Sequence, residues 1–292
     1  MEVSSRFVGT PFKPLETRIT WRQTTNYAAA TDDNNPCYLD DTQPEGIVAP
    51  PMFCVAASWP MRERMLESLE ATDFPLQFFS TQVHYTEHLQ IHRLIRPDDR
   101  LTIRGHLAAI LPHKSGTLVV SRYDVYDQTG KIIFTEHGGA LMRGVKCTDK
   151  GAGIEQLPSV PDPVVQDSPL WEVTIPIART APFIYDGCTN ICYPIHTSVK
   201  VALLYGLPDI IYQGTATLAL GVREIVNREV AGDPRRVKSI TCRFTSMVIP
   251  GSVIHVKLLG RSSGDNQVHL HFSVLNADGE KAVSNGVVTV SE

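Results

Sequence analysis

The sequence predicts an α+β chain built from two copies of one unit. Three observations predict it. Tyr27 and Tyr185, Pro36 and Pro194, and Tyr38 and His196 are each 158 residues apart, so Tyr-x8-Pro-x-Tyr lies without gaps on Tyr-x8-Pro-x-His. Each half opens with helix-forming segments and closes with alternating strands. The later turns also correspond, Pro97-Asp98-Asp99-Arg100 with Pro250-Gly251-Ser252-Val253 and Asp127-Gln128-Thr129-Gly130 with Asn276-Ala277-Asp278-Gly279. A fixed spacing together with a repeated element order marks duplication. The 292 residues exceed an ordinary domain of roughly 100–150, as a duplicated domain requires.

The elements follow in order. A helix is predicted over 24–31, then a turn over 32–36. A second helical stretch covers 52–70, with Pro60 marking a break. Residues 82–92 alternate, with Val83, Tyr85, Leu89 and Ile91 on one side and Gln82, His84, Thr86, His88, Gln90 and His92 on the other, which predicts a half-buried strand. Strands are expected at 100–110, 117–126 and 131–135. Residues 148–169 carry Pro158, Pro161, Pro163 and Pro169 without apolar periodicity and read as an extended linker. In the second half, 186–194 reads as a turn. A helix is expected over 196–205, begun near Thr197 or Ser198 and ended by Gly206. Residues 214–226 predict a longer helix with Leu218, Val222, Ile225 and Val226 on one face. Strands follow near 239–247, 252–259, 267–275 and 281–290.

Composition removes several functions. A net charge of −4 lacks the basic excess of a nucleic-acid binder. No apolar run approaches the roughly 20 residues that span a bilayer, and the N-terminus lacks a secretory apolar segment. Cys37, Cys54, Cys147, Cys188, Cys192 and Cys242 are scattered, which fits reduced thiols in a cytoplasmic compartment. Cys188 and Cys192 are better explained by packing than by metal binding or redox chemistry. His84, His88 and His92 suggest a metal site, but on one strand the outer two lie over about 20 Å apart, so a polar sheet face is expected instead. No metal and no cofactor is expected.

Asn190-Ile191-Cys192-Tyr193-Pro194-Ile195-His196, followed five residues later by Ala202, resembles the hydratase motif Asp-x-Asn-Pro-[Leu/Ile/Val]-His of MaoC-like dehydratases and R-specific enoyl-CoA hydratases. Gly206-Leu207-Pro208-Asp209-Ile210-Ile211-Tyr212-Gln213-Gly214 is similar to that family's Gly…Ile-x-His-Gly segment. In the first copy, Asp33-Asn34-Asn35-Pro36-Cys37-Tyr38 keeps Asp-x-Asn-Pro but has Tyr38 in place of His. Ala49-Pro50-Pro51-Met52-Phe53 resembles a segment of first copies in two-copy members. The resemblance implies a double hotdog, two antiparallel sheets each wrapped around a central helix. Residues 1–147 would form the first hotdog, 148–170 the linker and 171–292 the catalytic second, with 214–226 its central helix.

The departures bear on mechanism. Ile191 stands where the family places its Asp, Tyr193 where it places Asn, and Gln213 where His often precedes glycine. Neither copy has an intact Asp/His pair. Hydration of a 2-enoyl thioester needs a base for water, an acid for C2 and stabilisation of the thioester oxygen. The resemblance implies His196 for proton transfer, and Gly214 for the oxyanion through a backbone N–H at a helix start. Asn190 would orient water or thioester, or simply form a turn, and Asp186 is a substitute carboxylate. Packing alone would also explain Gly214, and backbone contacts would also satisfy His196. Arg235, Arg236 and Lys238 could meet CoA phosphates, although a solvated loop explains them better.

The expected function is hydration or dehydration of a 2-enoyl/3-hydroxyacyl thioester carried by CoA or acyl carrier protein. Alternatives are a repurposed dehydratase or isomerase acting on a small natural-product or polyketide-like substrate, a non-catalytic binding module, and, less favoured, a thioesterase. A homodimer is among the expected assemblies.

Overall fold

The computed structural model describes residues 1–71, 73–75, 82–164, 168–264 and 266–292. The first copy contains β1 (Glu2–Val3), β2 (Leu15–Arg18), α1 (Trp21–Ala30), α2 (Pro36–Leu39), α3 (Phe53–Glu63), α4 (Met65–Ser68), β3 (Gln82–Ile91), β4 (Arg100–His113), β5 (Gly116–Tyr126), β6 (Ile132–Arg143) and β7 (Lys146–Cys147). The second contains β8 (Trp171–Pro176), α5 (Ala181–Thr189), α6 (Val199–Leu204), α7 (Gly214–Glu229), β9 (Val237–Phe244), β10 (Val253–Gly264), β11 (Gln267–Leu275) and β12 (Lys281–Ser291).

Ten strands form one antiparallel sheet in the order β2-β4-β5-β6-β3-β9-β12-β11-β10-β8. Read outward from the centre, each half repeats the other, as a double hotdog requires. The seam is β3 against β9, with Glu87 opposite Cys242 and Leu89 opposite Ile240. In the second copy α7 packs on β10, β11 and β12. It is buried from Thr215 to Val222 and again from Glu224 to Val226, so the expected single apolar face is in fact most of its circumference. In the first copy α3 packs on β6 and is shorter, 11 residues against 16. Pro60 lies inside it and lacks an N–H, and the helix ends one turn later.

Several elements differ from the sequence expectation. Helix α1 starts three residues earlier, because Thr20 and Gln23 form a reciprocal capping box. The expected turn over 186–194 begins inside α5, which runs from a Pro182 first turn to Asn190. Asn190 takes a left-handed conformation at φ 57° and closes the helix. The expected helix over 196–205 is a 3-10 turn at Pro194–His196 followed by α6, capped by Ser198. Strand β6 extends eight residues past Thr135, through Glu136, His137, Gly138 and Gly139. The uninterrupted alternation expected over 82–92 is broken by a bulge between His84 and Thr86. The bulge turns His84 onto the helix-facing side, so His84 and His88 do not share a face. The edge strands β2 and β8 had no sequence signal.

Within 148–164, Ala152 bridges to Ile110 on β4, and Gln156 Oε1 lies 3.2 Å from His106 Nε2. A side chain at Gly153, where φ is +88°, would overlap the Ala108 carbonyl. This stretch is therefore fitted to the sheet's outer face; residues 165–167 lie outside the described residues.

Candidate active site

His196 ends the 3-10 turn begun by Pro194, and its ring is partly buried. Its Nδ1 lies 2.8 Å from the Ile211 carbonyl oxygen. A carbonyl only accepts, so Nδ1 carries the hydrogen and Nε2 is the acceptor. Burial holds the imidazole down to about 4, against the opposing effect of the Ile211 bond. At neutral pH the ring is therefore uncharged, oriented and able to take a proton.

Ile211 lies three residues before Gly214, and its own N–H returns to the Ile195 carbonyl at 3.4 Å. One short segment thus fixes both His196 and the start of α7. Gln213, the cap residue, is buried and donates from Nε2 to the Pro182 carbonyl at 2.9 Å. The first-turn N–H groups of a helix have no intrahelical acceptor, and the helix dipole makes that end favourable to negative charge. A Cβ on Gly214 would stand 3.1 Å from Phe244 Cδ1, so glycine keeps this end open.

Asn190, expected to orient water or thioester or to form a turn, and Asp186, the expected substitute carboxylate, both lie on α5 and its cap. Asn190 is exposed, and its N–H bonds the Asp186 carbonyl at 2.9 Å as the cap of α5. The Asp186 carboxylate accepts from Cys192 Sγ at 3.7 Å. Among the described residues no direct hydrogen bond joins either side chain to His196. The physical reason is α5 itself: a helix through 186 and a left-handed cap at 190 fix both groups before the chain reaches the histidine. Ile191 is buried.

The first-copy motif has become a docking element. Tyr38 is buried where the second copy has its histidine. Asp33 accepts from the Asn35 N–H at 3.2 Å, and burial raises it to about 6 despite Arg223 nearby. Arg223 of α7 donates to the carbonyls of Thr31 at 2.7 Å and Asp32 at 3.1 Å, and Asn35 Nδ2 donates to the Gly232 carbonyl at 2.6 Å.

A further polar group lies on the inner face of β3 and β6. Arg62 of α3 pairs with Glu136 and, at 3.2 Å, with Glu87, and both carboxylates are fully buried. His84 Nε2 lies 3.0 Å from Glu87 Oε2, and Ser58 donates to Glu136. A Cβ at Gly138 would overlap the Arg62 guanidinium. Burial, with Glu87 close by, lifts Glu136 to about 8 against the pull of Arg62. The sequence signal was present in Glu136-His137-Gly138-Gly139, which interrupts an apolar strand. Its meaning depends on an arginine more than 70 residues away. The Arg235 group lies on an exposed loop and is internally paired: Arg235 pairs with Asp233 and Glu45, and Arg236 donates to the Ser291 carbonyl.

Both copies resemble known proteins. Residues 6–136 match the FAS1-like dehydratase domain region, and residues 162–274 match the MaoC-like domain. The chain is 26% identical over 186 residues to the peroxisomal multifunctional enzyme type 2 of Drosophila melanogaster, covering 62% of this chain and 30% of that protein. It is 23% identical over 184 residues to the peroxisomal enoyl-CoA hydratase 2 of Arabidopsis thaliana, covering 60% and 59%. The chain thus spans less than two thirds of the length of these curated relatives. The crystal structure of a MaoC-like dehydratase from Phytophthora capsici superimposes with a TM-score of 0.82 at 18% identity, over 98% of both chains. With one family pattern on each copy, the two matches together support the MaoC-like double-hotdog hydratase family for this chain.

Proposed function

We propose that the chain hydrates a 2-enoyl thioester, or dehydrates the 3-hydroxyacyl thioester in reverse, at a site centred on His196. The observation that carries this reading is the pairing of a neutral imidazole, held by the Ile211 carbonyl, with the open N-terminus of α7 at Gly214. In the hydration direction, His196 Nε2 takes a proton from water as the hydroxyl adds to C3. Negative charge then moves onto the thioester oxygen, where the Gly214 N–H donates to it. Delivery of a proton to C2 completes the addition. The relatives named as enoyl-CoA hydratases favour CoA as the carrier over acyl carrier protein.

Residues 1–147 act as the wall-forming half, 148–170 as the linker and 171–292 as the catalytic half in this reading. One chain supplies both sides of the β3–β9 seam, so the site needs no second copy, and a homodimer would leave it intact. Among the described residues no helix is long and apolar enough to cross a membrane. The six free cysteines fit a reducing compartment, cytoplasmic or peroxisomal.

A second reading, a dehydratase or isomerase acting on a small natural-product or polyketide-like substrate, is favoured by the lack, among the described residues, of a carboxylate bonded to His196. Incubating the purified chain with crotonyl-CoA and identifying the product by mass spectrometry separates the two. A gain of one water supports hydration. A new chromatographic peak of unchanged mass supports isomerisation, and crotonyl-CoA unaltered in both mass and retention would overturn the hydratase reading.

A further inference from the structure

The second-copy motif provides a histidine without a carboxylate. The first copy provides the complementary arrangement, a histidine held by one. Three features of the chain build it. The bulge in β3 is the first: in a regular strand residues three apart face opposite ways, and the register shift between His84 and Thr86 brings His84 onto the face of Glu87. Bulges of this kind re-aim side chains and occur next to active sites. The second is Gly138, opposite Glu87 on β6, whose missing side chain admits the Arg62 guanidinium behind the carboxylates. The third is accessibility. Glu87 is 0% exposed and Arg62 12%, whereas His84 is 25% exposed, so the cluster opens through its imidazole.

Position links this group to the start of α7. The His84 ring lies 4.6 Å from the Phe244 ring, centroid to centroid, across the β3–β9 seam. The same Phe244 ring is what a side chain on Gly214 would touch. His84 and Gly214 thus flank one aromatic ring.

We propose that His84, backed by Glu87 and Glu136, delivers the proton to C2 of the thioester and so completes, from the first copy, the acid–base set that Ile191 leaves incomplete. This rests on the thioester reading above. Glu87 Oε2 and Arg62 Nη1 both face His84 Nε2, at 3.0 and 3.4 Å, so with a proton on the carboxyl pair Nε2 accepts and the hydrogen of the imidazole is on Nδ1. The raised carboxyl range of Glu136 keeps one proton on the pair at neutral pH. The Nδ1 proton passes to C2 while Nε2 takes the proton of the carboxyl pair; Nε2 then returns that proton to the pair as the proton gained by His196 from water reaches Nδ1 through solvent. Atoms and charge balance over one turnover. His84 is the catalytic residue, and Glu87 and Glu136 supply and position its proton.

The test uses two reactions of the full chain: hydration of crotonyl-CoA, and deuterium incorporation at C2 of butyryl-CoA in D2O, which needs the C2 group without water addition. His84→Gln is expected to lose both by about a hundredfold or more. His196→Ala is expected to lose hydration and keep the exchange. Glu87→Gln, which preserves shape, is expected to follow His84→Gln, with thermal melting confirming that each variant is folded. Hydration by His84→Gln at the wild-type rate, exchange that depends on His196, or a wild type without exchange would each overturn the proposal. A wild type that exchanges through His84 but does not hydrate would remove the hydratase reading and leave this assignment standing.

Discussion

The hydroxyls of Tyr27 and Tyr185 lie 3.2 Å apart, and both residues are fully buried. They occupy the same place in the two copies, on α1 and α5, and meet where these helices pack together. Tyr185 donates onward to Thr215 Oγ1 at 3.2 Å, one residue past Gly214. The contact between the copies is thus tied to the first turn of α7.

Tyr185→Phe leaves the Tyr27 hydroxyl buried without its acceptor and should cost about 1–3 kcal/mol. Tyr27→Phe together with Tyr185→Phe should cost less than the sum of the single changes, because it removes both members of the pair. Urea denaturation of the four proteins measures the coupling; strict additivity would show that the two hydroxyls do not interact.

Acid should weaken the fold through buried imidazoles. His88 and His137 are both held down to about 4, mainly by burial, with His137 acting on His88 and Arg122 on His137. Their unfolded value is 6.5, so between these limits the folded chain binds fewer protons than the unfolded one. The stability they contribute is complete above about 6.5 and is lost as pH falls towards 4. Asp33 and Glu136, both raised, act with the opposite sign. His137→Gln should show a smaller loss of stability between pH 7 and pH 4.5 than the wild type in denaturant titrations; an unchanged loss would contradict the assignment.

The duplication, most strands and the central helix were legible in sequence because they depend on local periodicity. The Tyr27–Tyr185 correspondence was legible as spacing alone. The start of α1 was written in Thr20 and Gln23, and the end of α5 in Asn190, but such caps are short and easily read as turns. The bulge at Tyr85 and the extension of β6 through Gly138 were not legible, because both are set by pairing between strands far apart in the sequence. His196 and Gly214 could be named from the motif. His84 could not, since on the alternating pattern it belongs to the outer face.

Gly214→Ala separates a chemical role from a packing role. Alanine favours a helix over glycine, so stability should hold or rise by up to about 1 kcal/mol. The added methyl, 3.1 Å from Phe244, should obstruct approach to the first-turn N–H and lower crotonyl-CoA turnover by about a hundredfold. Melting and steady-state rates measured on one preparation decide it. A stable variant with wild-type turnover would remove Gly214 from the site.

The central claim is that His196 performs the proton transfer with water. Its most direct test is the rate of crotonyl-CoA hydration by His196→Ala beside the wild type, at neutral pH and with folding verified by thermal melting. The geometry predicts a folded protein whose kcat falls by about a hundredfold or more. A folded His196→Ala protein that turns over at the wild-type rate would contradict it.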